Sequence, residues 1–117
     1  MGATRDTQTR KVGDTLRLSG ELTGATIPTA DADWVGATAV INIVEDTTAR
    51  TAYRTAGAVT LSVASTPRRY SYAGSPPAVG DIGTYLYEIV VTFADATITS
   101  FPDSDDKYRL RIVAQLA

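Results

Sequence analysis

The side chains with chemistry to offer here are carboxylates, arginines and phenols, because the 117 residues include neither histidine nor cysteine. That absence removes Ser–His–Asp triads, thiol nucleophiles, CxxC redox pairs, zinc fingers, and haem or copper sites built on imidazole or thiolate. Asp103-Ser-Asp105-Asp106 is the densest acidic run. Ca²⁺ takes six to eight oxygens and favours flexible Asp-rich loops. The competing reading is a solvated turn after Phe101-Pro102, since no Gly and Glu follow at EF-hand spacing. Asp31 and Asp33 invite the same two readings. A glycosidase needs paired carboxylates with one pKa raised by burial. Glu21, Glu45 and Glu88 instead fall in or at the ends of strands on faces that read as solvated. The expectation is a chain without catalytic, cofactor-binding or metal-binding residues.

Two further groups could recognise rather than react. Trp34, Tyr53, Tyr70 and Tyr72 could form a platform for stacking sugar rings, although strands favour aromatics for packing alone. Arg68 and Arg69, with Arg50 and Arg54 upstream, could form a positive stripe facing an acidic partner, since a guanidinium binds carboxylates bidentately. The competing reading is a solvated strand face. Gly74-Ser75-Pro76-Pro77 reads as a stiff exposed loop whose prolines reduce the entropy lost on docking. Residues 1–10 are polar and Thr-rich, and read as an arm that orders on a partner. The candidate interface is therefore Arg68, Arg69, Ser75, Pro76 and Pro77.

These groups must be positioned by strands. Leu16, Leu18 and Leu22 alternate with Arg17, Ser19 and Glu21, the period of a half-buried strand. Thr38–Val44 is a β-branched run. Val59, Leu61 and Val63 alternate again, as do Tyr108, Leu110 and Ile112. Tyr85, Tyr87, Ile89, Val91 and Phe93 share one face of the clearest strand. Turn signals separate them every 8–15 residues: Val12-Gly13-Asp14, Gly24 to Pro28, Ala56-Gly57, Gly74 to Pro77, Gly80-Asp81 and Pro102 to Asp106. No stripe of period 3.6 is long enough for a helix. The pattern predicts an all-β, immunoglobulin-like antiparallel sandwich of seven or eight strands over residues 11–117. Asp81-x-Gly83-x-Tyr85 ahead of an alternating strand is the signature of a tyrosine corner, whose phenol reaches back to the backbone just upstream. Antibody-type domains carry a cysteine two residues later, where this chain has Tyr87, so an aromatic ring is expected to fill the space between the sheets.

Net charge excludes other classes. Eleven basic against thirteen acidic residues give −2, without the basic excess expected of nucleic-acid binding or a polybasic membrane contact. The polar start, Met1 to Lys11, reads as lacking a signal peptide. No apolar stretch approaches the ~20 residues that span a bilayer. Without cysteine there is no disulfide framework.

Arg68 to Val113 resembles the immunoglobulin-like N-terminal domain of phage baseplate upper proteins and related tailed-phage virion proteins. The residues that carry the likeness are Tyr70-Ser71-Tyr72, then Asp81, Gly83 and Tyr85, then Glu88, Val91 and Phe93, then Asp95, Phe101-Pro102, and finally Tyr108, Leu110 and Ile112. The stretch Ala32-Asp33-Trp34-Val35-Gly36-Ala37-Thr38 is similar to the loop and strand opening that family's middle section. Where the family's hairpin reads Asp-Gly, this chain has Asp95-Ala96, which predicts a different turn or a longer loop. The resemblance implies a non-enzymatic virion component, made and assembled in the host cytoplasm, whose partners are other virion proteins and copies of itself in a symmetric particle. Baseplate or tail, capsid decoration, and neck are the candidate locations. The alternative is a carbohydrate-binding module that attaches a particle or enzyme to a cell-surface glycan.

Overall fold

The computed structural model describes residues 4–22, 31–62, 68–101 and 107–115. They form an all-β sandwich with immunoglobulin-like strand pairing. The strands are β1 (Thr4–Lys11), β2 (Leu16–Glu21), β3 (Thr38–Glu45), β4 (Ala52–Ser62), β5 (Arg69–Gly74), β6 (Gly83–Thr92), β7 (Ile98–Phe101) and β8 (Lys107–Val113). A short helical turn, α1 (Asp31–Trp34), precedes β3, and a 3-10 turn spans Val79–Asp81.

One layer has the order β1-β8-β6-β3-β4, and the other β2-β5-β4. Strand β4 belongs to both. Its residues Ala52 to Val59 pair with β3, while Thr60 to Ser62 pair with β5. The Ala56-Gly57 turn signal is thus a bulge inside one strand, and bulges are how strands switch sheets. Ala56 adopts φ 53° and its N–H donates to Asn42 Oδ1 at 2.9 Å. A Cβ on Gly57 would lie 2.8 Å from Tyr72 Cε1 and 3.0 Å from Ile41 Cγ2, so the crossing requires glycine there.

Two expectations are corrected. The sandwich is not wholly antiparallel, because β1 runs parallel to β8, with Gln8 opposite Leu110 and Arg10 opposite Ile112. The segment read as an arm, residues 1–10, is a strand from Thr4 onward, and residues 1–3 lie outside the described residues. Strand β1 lacks apolar alternation because two of its side chains serve the gap between the sheets. Gln8 Nε2 donates to Ser19 O at 2.9 Å, and Arg10 Nε donates to Arg17 O at 2.6 Å. These bonds satisfy carbonyls on β2, the end strand of the second layer.

The core lies between the layers. From β6 it takes Tyr85, Tyr87, Ile89 and Val91, with Phe93 just beyond, against Leu16 and Leu18 of β2 and Tyr70 and Tyr72 of β5. Each fully buried aliphatic or aromatic side chain contributes ~1.5–3 kcal/mol. Tyr87 is 1% exposed and spans the layers at the position of the absent cysteine. Its hydroxyl lies 2.8 Å from that of Tyr70 and accepts a 2.8 Å bond from Gln8 Nε2. A hydrogen bond between phenols on β5 and β6 thus ties the two layers together.

The turn after β6 follows from Ala96. Phe93 N–H donates to Thr97 O and Ala96 N–H to Phe93 O, both at 2.9 Å, closing a three-residue loop with Ala96 at φ 73°. Three-residue hairpins end on a left-handed residue, usually glycine.

Candidate interface site

Asp81, Gly83 and Tyr85 sit where β5 hands over to β6. Gly83 opens β6 opposite Ile112. Tyr85 Oη donates to Asp81 O at 2.6 Å, the bond that defines a tyrosine corner. Asp81 is bonded from two further directions. Its Oδ2 accepts the Ala78 N–H at 2.9 Å and the Tyr53 hydroxyl at 3.0 Å. The rings of Tyr53 and Tyr85 stack with centroids 4.5 Å apart. Burial pushes both phenols above their ordinary pKa; at Tyr53 the Asp81 carboxylate adds to the rise while Arg54 opposes it.

Arg54 locks the neighbouring loop. Its guanidinium lies over the Tyr53 ring at 4.7 Å and donates to Tyr53 Oη at 3.1 Å. Nη1 reaches Ser75 Oγ at 3.2 Å and Nη2 reaches Ser75 O at 3.0 Å. A side chain on Gly74 would run into Tyr72 Oη and Arg54 Nη1. Pro77 is buried, and its carbonyl accepts the Gly13 N–H at 3.1 Å. Residues 75–82 are therefore a loop fastened at Ser75, Pro77, Ala78 and Asp81. From it Pro76, Val79 and Ile82 project into solvent, Val79 at 74% and Ile82 at 48% exposure. Exposed apolar side chains on a rigid loop dock at little entropic cost.

The structure separates the residues read from sequence as one interface. Ser75 and Pro76 lie at this corner and are exposed, whereas Pro77 supports it from beneath. Arg68 and Arg69 sit at the opposite end of β5. Arg68 is not a surface cation: it is 4% exposed, with its guanidinium 5.5 Å from the Trp34 ring. Trp34 is fully buried and meets Phe93 edge-on at 5.0 Å, so this arginine closes the core at the α1 end. Arg69 is exposed and pairs with Glu21 at 3.2 Å, a surface pair worth little. Arg50 leans toward Asp46 at 3.9 Å. The four arginines do not form one stripe. Nor do Trp34, Tyr53, Tyr70 and Tyr72 form an outward platform, since three of the rings are buried and Tyr53 is stacked on Tyr85.

Sequence reading assigned Tyr53 to a sugar platform and Arg54 to a basic stripe, not to this corner, and missed Val79 and Ile82. The signal for the last two was present, as apolar residues inside a Pro- and Gly-rich loop have no core to enter. The role of Tyr53 and Arg54 at the corner has no local signal, since the loop partners Asp81 and Ser75 lie 28 and 21 positions away.

At the opposite end a hollow of about 230 Å³ is lined by Asp33 and Asp95 together with Phe93 and Thr97. Asp95 is committed to its turn: Oδ1 accepts from Thr97 N–H at 3.0 Å and from Thr97 Oγ1 at 2.6 Å, which lowers its pKa. Among the described residues no three acidic side chains converge on a point that could hold a metal ion. Asp103, Asp105 and Asp106 lie outside the described residues. No helix among the described residues is long and apolar enough to cross a membrane. Compared with known proteins, the chain matches no family model and no curated sequence.

Proposed function

We propose that this chain is a non-enzymatic structural component of a tailed-phage virion, acting through protein–protein interfaces. Its placement follows from the resemblance of Arg68 to Val113 to baseplate-type immunoglobulin-like domains. The observation that carries the mode of action is the fastened corner. Tyr85, Tyr53 and Arg54 hold residues 75–82 in one shape, and that shape presents Pro76, Val79 and Ile82 to a neighbour. Baseplate or tail, capsid decoration, and neck all use such contacts, repeated by symmetry.

The test is a particle-incorporation assay with Val79→Asp/Ile82→Asp. Both side chains are exposed, so the unfolding free energy should stay within ~0.5 kcal/mol of the parent. Incorporation into particles should be lost. A double variant that folds and assembles normally would exclude the corner as the contact.

A further inference from the structure

We propose that a hollow on the outer face of the first layer receives a basic side chain, arginine or lysine, presented by a partner protein. The inference rests on the lining of that hollow and holds whatever particle or surface the chain belongs to.

Strand β6 turns Tyr85, Tyr87, Ile89 and Val91 into the core, so Leu86 and Glu88 lie on the outer face of the sheet. Leu86 is nevertheless only 6% exposed. Val44 of β3 and Arg109 of β8 flank it in register, and Arg109 ends on Asp46 at 3.4 Å. This sunken leucine lines a hollow of about 290 Å³ together with Asn42, Val44, Arg50, Tyr87 and Glu88. All six are described residues, on β3, on β6 and in the turn that follows β3.

The lining carries two charges, and only one of them is engaged. Arg50 is paired with Asp46 at 3.9 Å. Its φ of 51° lies in the region that favours glycine, so the turn holds an arginine there against its backbone preference. Glu88 is half-buried, and among the described residues it has neither a hydrogen-bond nor an ion-pair partner. Asn42 stands opposite Glu88 in register. Its Oδ1 is taken by the Ala56 N–H, which leaves Nδ2 to donate to a main-chain carbonyl of the partner.

That arrangement selects a cation on an apolar stem. An anionic head would have to compete with Asp46 for Arg50, whereas a cationic head meets Glu88 without a rival and makes a charge-assisted bond. Val44 and Leu86 lie one two-residue step from the Asn42–Glu88 pair, ~6.7 Å along the strands, which is about the reach of an arginine or lysine stem. Such stems lie along apolar surface with the charged head at its edge. Arg50 stands past Val44, at the end away from Glu88, and repels a cation from there, so the head is directed to Glu88. At about 290 Å³ the hollow falls just under the ~300–1,000 Å³ of small-ligand pockets. A side chain already held by its own protein needs less enclosure than a free molecule does, because the rest of the interface shares the ordering cost.

The probe is N-acetyl-L-arginine amide, which carries the stem and the guanidinium and no other charge. Titrated into the isotope-labelled chain, it should give saturable shifts in the NMR signals of the Val44 and Leu86 methyls and the Glu88 amide. N-acetyl-L-citrulline amide, its neutral isostere, should bind roughly tenfold more weakly, the effect of losing one charged hydrogen bond. Methylguanidine, a head without a stem, should also lose roughly tenfold for want of apolar contact. Glu88→Gln should bring the arginine and citrulline probes level. Equal binding of those two probes to the parent, shifts centred elsewhere or not saturating, or an arginine affinity indifferent to Glu88→Gln would overturn the proposal. Should Glu88→Gln fail to fold, the two probes on the parent chain still decide it. Val79→Asp/Ile82→Asp should bind the arginine probe as the parent does, so the hollow and the corner are tested separately.

Discussion

Single hydroxyls and one methyl group carry much of this fold's definition. Tyr85 Oη satisfies the Asp81 carbonyl at a turn the strand ladders do not reach. Tyr85→Phe should therefore cost ~1–2 kcal/mol, the value of one buried hydrogen bond, and an unchanged urea midpoint would remove the corner's structural role. Ala96 is the opposite case. Its φ of 73° places a Cβ in the left-handed region, which costs roughly 1–2 kcal/mol relative to the right-handed one, partly offset in glycine by backbone entropy. Ala96→Gly should raise stability by ~0.5–1 kcal/mol in the same assay; a loss would mean the loop has another shape. The phenols also set an alkaline limit. Burial raises the pKa of Tyr87 most, with contributions from Tyr70, and it raises Tyr53 and Tyr85 too. Below the ordinary phenol value of about 10 they are neutral in both folded and unfolded chains. Above it the unfolded chain ionises while the folded one holds its protons, so stability is full below pH ~10 and falls as pH rises further. Denaturation midpoints at pH 8 to 11 should bend downward above 10, and Tyr87→Phe should lessen the slope. A flat profile would contradict the buried phenol pair.

At the scale of elements, the two layers are joined by β4 on one flank and by side chains on both. Gln8 bridges β1 to β2 and to Tyr87, while Arg54 bridges β4 to the 75–82 loop. The two residues share no partner and work on opposite flanks. Gln8→Ala and Arg54→Ala should each cost ~1–2 kcal/mol, and the double variant should equal their sum within ~0.5 kcal/mol. A larger coupling would mean the flanks are not independent. This geometry also explains what could be read in the sequence. Strands buried on one face announce themselves, as β6 does through Tyr85, Tyr87, Ile89 and Val91, and the corner was legible because Asp81, Gly83 and Tyr85 act within five residues. Strand β1 was not legible: Gln8 and Arg10 face a gap, not a core, so the strand looks like a polar tail. The Ala56-Gly57 bulge looked like a strand end because the residues that break a ladder also bend one. Arg68 looked like surface because a buried guanidinium over Trp34 depends on a ring 34 positions earlier.

For the whole molecule, the proposed virion contact surface is the fastened corner at one end of the sandwich. The corner at residues 75–82 offers the exposed apolar side chains of Val79 and Ile82 on a fastened loop. The most direct test of the proposed virion role is immunogold labelling of intact phage particles with antibody raised against this chain. Gold on the particles, at head, neck or tail, is the expected result and would fix which of the three locations applies. Particles that carry no gold, although the same antibody detects the chain in the infected cell, would contradict a virion component.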